Sequence, residues 1–201
     1  MLPVAFYARP TLRVARDLIG MVLVHETRGT LAAGAIVEVE AYIGEDDPAC
    51  HAAPGPTPRN RPLYGPPGRA YVYLNYGLHC LVNAVTEPEG SPAAVLIRAL
   101  EPLAGVELMR RRRGRPDGAA PRRDEDLCRG PGNLARALGI TLRLNGADLT
   151  CGPLRIEDWG LAAGRQAIWT PRVGIRVGAD RLWRCLDPRS AAVSEPRPRR
   201  R

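Results

Sequence analysis

The chain has 201 residues, 45% of them hydrophobic, and its 29 basic and 21 acidic residues give a formal net charge of +8. This length suits one compact domain, and the apolar fraction excludes wholesale disorder. No apolar run is long enough to cross a bilayer and the start lacks a secretory signal, so we expect a cytoplasmic protein. The basic excess favours a polyanionic partner, although charge alone is a weak indicator of nucleic-acid binding.

The sequence contains no lysine, so every basic residue is an arginine. An arginine fork grips a phosphate with two parallel hydrogen bonds, where lysine is a point charge. Enzymes that cleave through a Schiff base usually need a lysine amine, so we expect water to be the nucleophile of any cleavage reaction. The five cysteines are scattered without a Cys-x-x-Cys pair, which predicts buried thiols and no metal site.

Strands and turns dominate the predicted secondary structure of the first half. The elements are a helix over 12–19 and strands over 21–25, 35–42, 70–76, 80–86 and 93–100. Residues 44–69 hold many Gly, Pro and Asp residues and predict a long loop. Loops of that length are usually functional.

Helices and a charged stretch dominate the second half. The predicted elements are a helix from Pro102 to about Arg113, a mobile basic loop to residue 126, a helix over 133–138, and strands over 173–177 and 182–186. The antiparallel-looking strand runs favour an α+β fold over a parallel βαβ arrangement. We predict one domain over residues 1–194, followed by a disordered Pro/Arg tail over 195–201.

Two glutamates occur in the strand predicted over 35–42. By alternation, Ile36, Glu38, Glu40 and Tyr42 share one face of that strand. The pattern alone most often describes a polar face turned to solvent. The large apolar neighbours favour a partly desolvated carboxylate instead, which can act as a general base if a cation keeps it ionised.

The next strands concentrate aromatic and polar side chains. Tyr71, Tyr73 and Tyr76 fall within six residues of a chain that has six tyrosines in all. They predict either an aromatic strand packed into the core or a platform on which bases stack. Asn83 lies within an apolar run and Arg98 follows another, so each is a buried structural group or a functional one.

Longer motifs follow one another in a fixed order. They are VEVEAYIG at 37–44 with His51, TPRNR at 57–61, YVYLNYGLHC at 71–80 with Asn83, and LIRALEP at 96–102. In order and spacing these motifs closely resemble the alkyladenine (3-methyladenine) DNA glycosylase family. Weaker similarities are GPGNL at 130–134, TPRVGI at 170–175 and Trp183–Arg184, so the resemblance spans about residues 8–194.

The resemblance implies a fold and a catalytic pair. The family fold is a single mixed α/β domain built on a curved antiparallel sheet with flanking helices. Glu40 stands where the family has its general base, which activates a water beside the sugar C1′. Arg98 stands where an arginine helps to hold that glutamate and the water.

The resemblance also implies which residues bind the substrate. The residues that would sandwich, bond or select a flipped base are Tyr42, His51, Tyr73 and Asn83. Tyr76 matches the wedge that fills the vacated space in the duplex. The residues that would lie near the DNA backbone or brace the pocket are Arg59, Asn60 and Arg61.

The implied function is initiation of base excision repair by a monofunctional DNA glycosylase. It would flip 3-methyladenine, 7-methylguanine, hypoxanthine or ethenoadenine out of duplex DNA and hydrolyse the N-glycosidic bond. We expect a monomer without cofactor or metal, acting on double-stranded DNA at the bacterial nucleoid. The alternatives are a non-catalytic DNA- or RNA-binding protein, and a hydrolase of free nucleosides, in which the Tyr76 wedge would be idle.

Overall fold

Eight strands and four helices make up the part of the chain that the computed structural model describes, residues 1–27, 29–114 and 123–194. The strands are β1 (Val22–Thr27), β2 (Thr30–Ile43), β3 (Ala70–Asn75), β4 (His79–Val85), β5 (Ala93–Ala104), β6 (Leu154–Glu157), β7 (Ile168–Thr170) and β8 (Arg184–Leu186). The helices are α1 (Val4–Tyr7), α2 (Thr11–Asp17), α3 (Val106–Arg113) and α4 (Pro131–Leu138). The predicted tail, and residues 115–122 of the predicted basic loop, lie outside these ranges.

All the strands belong to one antiparallel sheet, with β2 near its centre. The order is β3-β4-β5-β2-β1-β6. One edge of β2 pairs with β5, whereas the other pairs first with β1 and then, over Glu38–Glu40, with β8, which in turn pairs with β7. The curled sheet and its flanking helices confirm the predicted α+β fold.

The two faces of the sheet carry different layers. On one face, α2 and α4 pack on β2, β4 and β5, and apolar residues such as Leu18, Leu138 and Ile97 form the main core. On the other face lies a second apolar cluster that includes Leu63, from the long loop over 44–69, and Ala94 of β5. Because side chains alternate along a strand, neighbouring residues of one strand serve the two layers. No helix in the described ranges is long and apolar enough to span a membrane.

Two predictions need correction. The helix predicted from Pro102 to about Arg113 is present as α3 but begins at Val106. Pro102 belongs to β5, which continues to Ala104, and the pairing of β5 with β2 shifts register where Pro102 lies opposite Gly34. A strand tolerates proline at a bulge of this kind, because proline has no N–H to donate to the neighbouring strand. The predicted strand over 173–177 is absent, because no neighbouring strand pairs with it. The strand predicted over 182–186 is present but begins at Arg184.

The change from β5 to α3 depends on a glycine. Gly105 has a φ of +71°, and a Cβ at this position would lie 2.1 Å from the carbonyl oxygen of Leu31. Gly146 has a similar φ of +81° with no atom within 4 Å of its Cβ position, so it is a matched control.

We expect Gly146→Ala to lower the free energy of unfolding by about 1–2 kcal/mol, the cost of a left-handed residue with a Cβ. Gly105→Ala should cost about 1–3 kcal/mol more, because the backbone of β2 must move. Urea unfolding of both variants measures the difference, and equal losses would contradict the close approach.

Candidate active site

A cavity of about 400 Å³ opens on the sheet face opposite α2 and α4. Its floor is made by every second residue of three strands, which are Tyr71 and Tyr73 of β3, Leu81 and Asn83 of β4, and Leu96 and Arg98 of β5. Two loops form its walls. The first wall loop (residues 44–69) contributes His51, and the second wall loop (residues 171–183) contributes Val173 and Ile175.

Glu40 lies beneath the cavity with no exposed surface. Its Oε2 accepts hydrogen bonds from the Tyr42 hydroxyl at 2.8 Å and from Arg98 Nη1 at 3.2 Å. Its Oε1 accepts the backbone N–H of Val173 at 2.7 Å. All three partners line the cavity, so the Glu40 carboxylate lies directly behind the cavity surface.

Arg98 joins Glu40 to a second buried carboxylate. Its Nε donates to Glu38 Oε1 at 2.8 Å while its Nη1 donates to Glu40. Glu38 Oε1 also accepts Arg184 Nε at 2.7 Å. We call these four residues, Glu38, Glu40, Arg98 and Arg184, the buried charge cluster. Its two carboxylates and two guanidinium groups balance in charge.

The C-terminal segment completes the cluster. Ser194 donates its backbone N–H to Glu38 Oε2 at 2.6 Å and its hydroxyl to Glu38 Oε1 at 2.7 Å. Burial alone would raise the pKa of Glu38, but Arg98, Arg184 and the Ser194 hydrogen bonds together hold it below the ordinary value. Glu38 is therefore ionised in the folded protein and holds Arg98 in place.

The two glutamates do not form a solvent-facing polar face. Alternation correctly placed Glu38 and Glu40 on one side of β2, since Arg98 contacts both. It misplaced Ile36, which packs in the main core with Val39, because the register of β2 shifts between Ile36 and Glu38. The side that carries the glutamates is buried because the Arg184 side chain of β8 and the segment ending at Ser194 close over it.

Aromatic rings surround the cavity above the cluster. The hydroxyl of Tyr42 is bonded to Glu40, and burial followed by the charge of Glu40 raises the pKa of Tyr42. His51 Nδ1 shares a hydrogen bond with the Tyr71 hydroxyl at 2.9 Å, and its ring centroid lies 4.5 Å from that of Tyr73. Burial, followed by the charge of Arg59, lowers the pKa of His51, which favours a neutral imidazole.

Asn83 lies in the floor of the cavity and is 4% exposed. Its Nδ2 donates to the carbonyl oxygen of Tyr71 across the β3–β4 pair at 2.9 Å. The amide is thereby fixed in orientation beside the tyrosine rings.

The hairpin tip between β3 and β4 (residues 75–78) presents Tyr76 to solvent. The Leu78 N–H donates to the Asn75 carbonyl at 3.0 Å, and both central residues have positive φ, +49° at Tyr76 and +71° at Gly77. A tight turn of this kind prefers Asn-Gly, and a side chain such as tyrosine costs about 1–2 kcal/mol in that conformation. Tyr76 is also 89% exposed, so its ring contributes little packing in return.

Comparisons with known proteins agree with this arrangement. A family model described as "Methylpurine-DNA glycosylase (MPG)" matches residues 5–191. The chain belongs to the methylpurine-DNA glycosylase family. It is therefore a hydrolase of N-glycosyl bonds, and its substrate is DNA.

Curated relatives match over most of their length. A protein of Rubrobacter xylanophilus is 53% identical over 170 residues, 85% of each chain. A protein of Methanocella arvoryzae is 48% identical over 202 residues, 98% of each chain. One from Rhodopseudomonas palustris is 48% identical over 194 residues, 96% of this chain and 88% of its own. All three are named "Putative 3-methyladenine DNA glycosylase".

The TPRNR motif of this glycosylase family member divides into two kinds of residue. Asn60 is 2% exposed, and its Nδ2 donates to the carbonyl oxygens of His51 at 2.7 Å and Gly55 at 2.9 Å. Asn60 therefore braces the first wall loop and offers little surface to DNA. Arg59 and Arg61 are exposed on the same loop.

Sequence reasoning missed several residues of the site. Glu38 was given no role of its own, and Ser194 carries no sequence signal because it follows the last motif. Arg172 and Asp47 form a buried ion pair behind the cavity wall. Arg172 lies in the TPRVGI motif, so a sequence motif marks its position. No motif marks its partner, Asp47. No group of three or more histidine, cysteine, aspartate or glutamate side chains in the described ranges is placed to hold a metal ion.

We expect Glu38→Gln to lower the free energy of unfolding at neutral pH by about 3–5 kcal/mol, because it leaves two buried guanidinium groups undercompensated. Since the pKa of Glu38 is lowered on folding, its stabilisation is complete above its unfolded-state pKa and is lost as pH falls through the folded-state pKa. Denaturant unfolding should therefore show the gap between wild type and variant narrowing below about pH 4.5.

The control for this prediction is Glu107→Gln on α3, where the side chain is 80% exposed. It should change the stability at neutral pH by less than about 0.5 kcal/mol. A gap between wild type and Glu38→Gln that is constant with pH would contradict an ionised Glu38.

Proposed function

We propose that this chain is a monofunctional glycosylase that flips an alkylated or deaminated purine out of duplex DNA and hydrolyses its N-glycosidic bond. Its substrates would be 3-methyladenine, 7-methylguanine, hypoxanthine and ethenoadenine, and it would act as a monomer without a cofactor. The observation that carries the proposal is the buried Glu40 carboxylate, held by Arg98 directly beneath an aromatic cavity. A binding protein that performs no chemistry has no need of such a group.

Base flipping follows from the position of the cavity. A base inside the stack cannot reach a buried carboxylate, so it must be extruded at a cost of a few kcal/mol. Tyr76 is the group proposed to fill the space it leaves. The strained turn supports this role, because the exposed ring of Tyr76 makes little packing contact that would offset the cost of its positive φ.

Hydrolysis needs one water and one carboxylate. The water oxygen would form a bond to C1′ as the C1′–N bond breaks, its electron pair would leave with the base, and Glu40 would take the water proton. A carboxylate has about four lone-pair positions, and those of Glu40 accept three hydrogen bonds from described residues. The remaining position can bind the water, while the negative charge stabilises the oxocarbenium-like transition state.

The residues around Glu40 and the lack of lysine favour Glu40 as the base and water as the nucleophile. Arg98, itself held by Glu38, would keep the Glu40 carboxylate oriented. The sequence contains no lysine, so a Schiff base would have to form at the chain's α-amino group. Water is therefore the proposed nucleophile, and the product would keep an intact strand with an abasic site.

The cavity suits purines that carry a positive charge. N3- and N7-alkylated purines are cationic, and the electron-rich rings of Tyr42 and Tyr73 attract cations. The lowered pKa of His51 favours an uncharged ring, so His51 adds no positive charge beside the base. Burial raises the pKa of Tyr73 to about 12, so its hydroxyl stays protonated and able to donate. Asn83, fixed by Tyr71, would disfavour normal guanine by crowding its 2-amino group. 7-Methylguanine carries the same group, and its positive charge, which makes it a better leaving group, would offset that contact.

Contact with the duplex is assigned to exposed groups around the cavity. Arg59 and Arg61 lie on the first wall loop and would bind phosphates with two hydrogen bonds each. Free nucleoside hydrolysis would need neither these arginines nor an exposed Tyr76.

We expect Glu40→Gln to slow base release by about 10²–10⁴-fold, because it removes the proton acceptor while keeping the shape of the side chain. Affinity for lesion-containing duplex should stay within about threefold, since binding rests on other groups. Single-turnover release from a duplex with one hypoxanthine, followed by alkali to cut abasic sites, measures the rate. The exposed Glu45→Gln is the control and should match wild type; equal loss of rate and affinity would make Glu40 structural.

Tyr76→Asn should change stability and function in opposite directions. Asparagine tolerates the left-handed conformation, so the free energy of unfolding should rise by about 0.5–2 kcal/mol. Lesion binding should weaken about tenfold, which is within the roughly 1–3 kcal/mol that a stacked aromatic ring contributes. Thermal unfolding and equilibrium binding to a hypoxanthine duplex measure the two effects.

Glu87 offers a matched control for that experiment. It is the other non-glycine residue with positive φ in the described ranges, +63°, but its Oε1 accepts the Thr11 N–H at 2.6 Å and the Thr11 hydroxyl at 2.8 Å. Glu87→Asn should therefore destabilise the fold and leave lesion affinity unchanged. A loss of stability in Tyr76→Asn, or unchanged lesion affinity, would reject the wedge.

A further inference from the structure

A buried ion pair ties the two wall loops together. Arg172 of the second wall loop donates from Nη1 to Asp47 Oδ2 at 2.6 Å and from Nη2 to Asp47 Oδ1 at 2.8 Å. Asp47 belongs to the first wall loop, and neither side chain has exposed surface. Burial would raise the pKa of Asp47, but Arg172 and backbone hydrogen bonds hold it below the ordinary value, so the pair is charged.

Arg172 also supports the ring that faces the cavity. Its guanidinium carbon lies 4.7 Å from the centroid of the Tyr42 ring and 5.1 Å from that of Trp183. Its Nη1 donates to the carbonyl oxygen of Ala41 at 3.0 Å, beside Tyr42 in β2. Tyr42 lines the cavity and Arg172 does not, so the guanidinium plane lies behind the ring.

The same anchor fixes the third hydrogen bond of Glu40. Val173 follows Arg172 directly, and its backbone N–H donates to Glu40 Oε1 at 2.7 Å. The strand pairing of β7 ends at Thr170, and the fork of Arg172 holds the residue next to Val173 against Asp47. One side chain thus supports a stacking ring and anchors the residue beside a donor to the carboxylate.

Stability alone does not account for this pair. Burying two charges costs several kcal/mol per ion, and well-packed apolar residues at such positions are often as stabilising. What the pair supplies is geometry, because a bidentate fork fixes both distance and plane.

We propose that Arg172, clamped by Asp47, is a positioning residue for base excision that sets the Tyr42 ring and the Val173 N–H around Glu40. This inference rests on the proposed function. It separates the residues that bind DNA from those that align the extruded base with the carboxylate, and it places Arg172 in the second group.

Arg181 provides a matched control on the same loop. It stacks on the other aromatic partner, with its guanidinium carbon 4.5 Å from the Trp183 centroid, and donates to the carbonyl oxygen of Asp46 at 3.1 Å. Its Nη1 lies 3.8 Å from Asp47 Oδ1, beyond hydrogen-bond distance, and its side chain is 30% exposed. These contacts include neither Tyr42 nor Glu40. Replacing each arginine by lysine keeps the charge and removes the fork.

The test is single-turnover release of ethenoadenine from duplex DNA by wild type, Arg172→Lys and Arg181→Lys, each at a temperature where circular dichroism shows it folded. Arg172→Lys should slow release by about 10- to 100-fold, as a small misplacement of reacting groups does. Duplex affinity should stay within about twofold, since it rests on exposed arginines. The ethenoadenine fluorescence change on binding should shrink because the ring stack is disturbed, and Arg181→Lys should match wild type in all three measurements.

Asp47→Asn tests the clamp from the other loop. It should slow release by a similar factor, and the double variant with Arg172→Lys should be no slower than the slower single variant, because both break one link. Multiplicative losses in the double variant would contradict a shared link.

The outcomes separate this inference from the proposed function. If wild type releases no purine from ethenoadenine, hypoxanthine or alkylated DNA, the proposed function fails. If wild type releases the base and Arg172→Lys does so at the same rate per folded molecule, the positioning role is overturned. A rate that falls only in proportion to lost duplex affinity, with an unchanged fluorescence signal, overturns it equally.

Discussion

Two carboxylates and two guanidinium groups are held together out of water beneath the cavity, and the rest of the site depends on their mutual compensation. Buried singly, any one of them would cost several kcal/mol. Together, with Ser194 donating to both oxygens of Glu38, they balance in charge and fix the Arg98 plane. The long strand β2 holds Glu38 and Glu40 in fixed positions within this group, because β5 pairs with one of its edges and β8 with the other. Assembly of the site therefore requires β5, β8 and the C-terminal segment to be in place.

The sheet divides its two faces between folding and chemistry. Ile97 of β5 packs in the apolar core under the helices, while its neighbours Leu96 and Arg98 face the cavity. The loops on the cavity side are held by specific polar contacts, such as the Asn60 amide and the Arg172–Asp47 pair, rather than by strand pairing. Tyr76, one of two non-glycine residues with positive φ in the described ranges, lies where we propose that DNA contacts the protein, and the apolar core provides stability.

Local patterns predicted β1 to β5 and β8, the α+β class and the shared side of Glu38 and Glu40, but not the short strands β6 and β7. They did not predict that this side is buried, because the groups that close over it, Arg184 and Ser194, come more than 140 residues later. Pro102 was misassigned because its tolerance depends on a register shift opposite Gly34, which only the pairing reveals. The apolar residues from Val173 onward resembled a strand, although the N–H of Val173 bonds a carboxylate instead. The candidate cavity residues came from motifs, and their roles stay predictions.

The most direct test of the account is a crystal structure of the Glu40→Gln variant bound to a duplex that carries one hypoxanthine. The account predicts the purine outside the stack and between the rings of Tyr42, His51 and Tyr73, with the ring of Tyr76 in the gap. It also predicts a water between C1′ and the side chain at position 40. A lesion that remains stacked in the duplex, or a flipped base with no path from its C1′ to position 40, would contradict it.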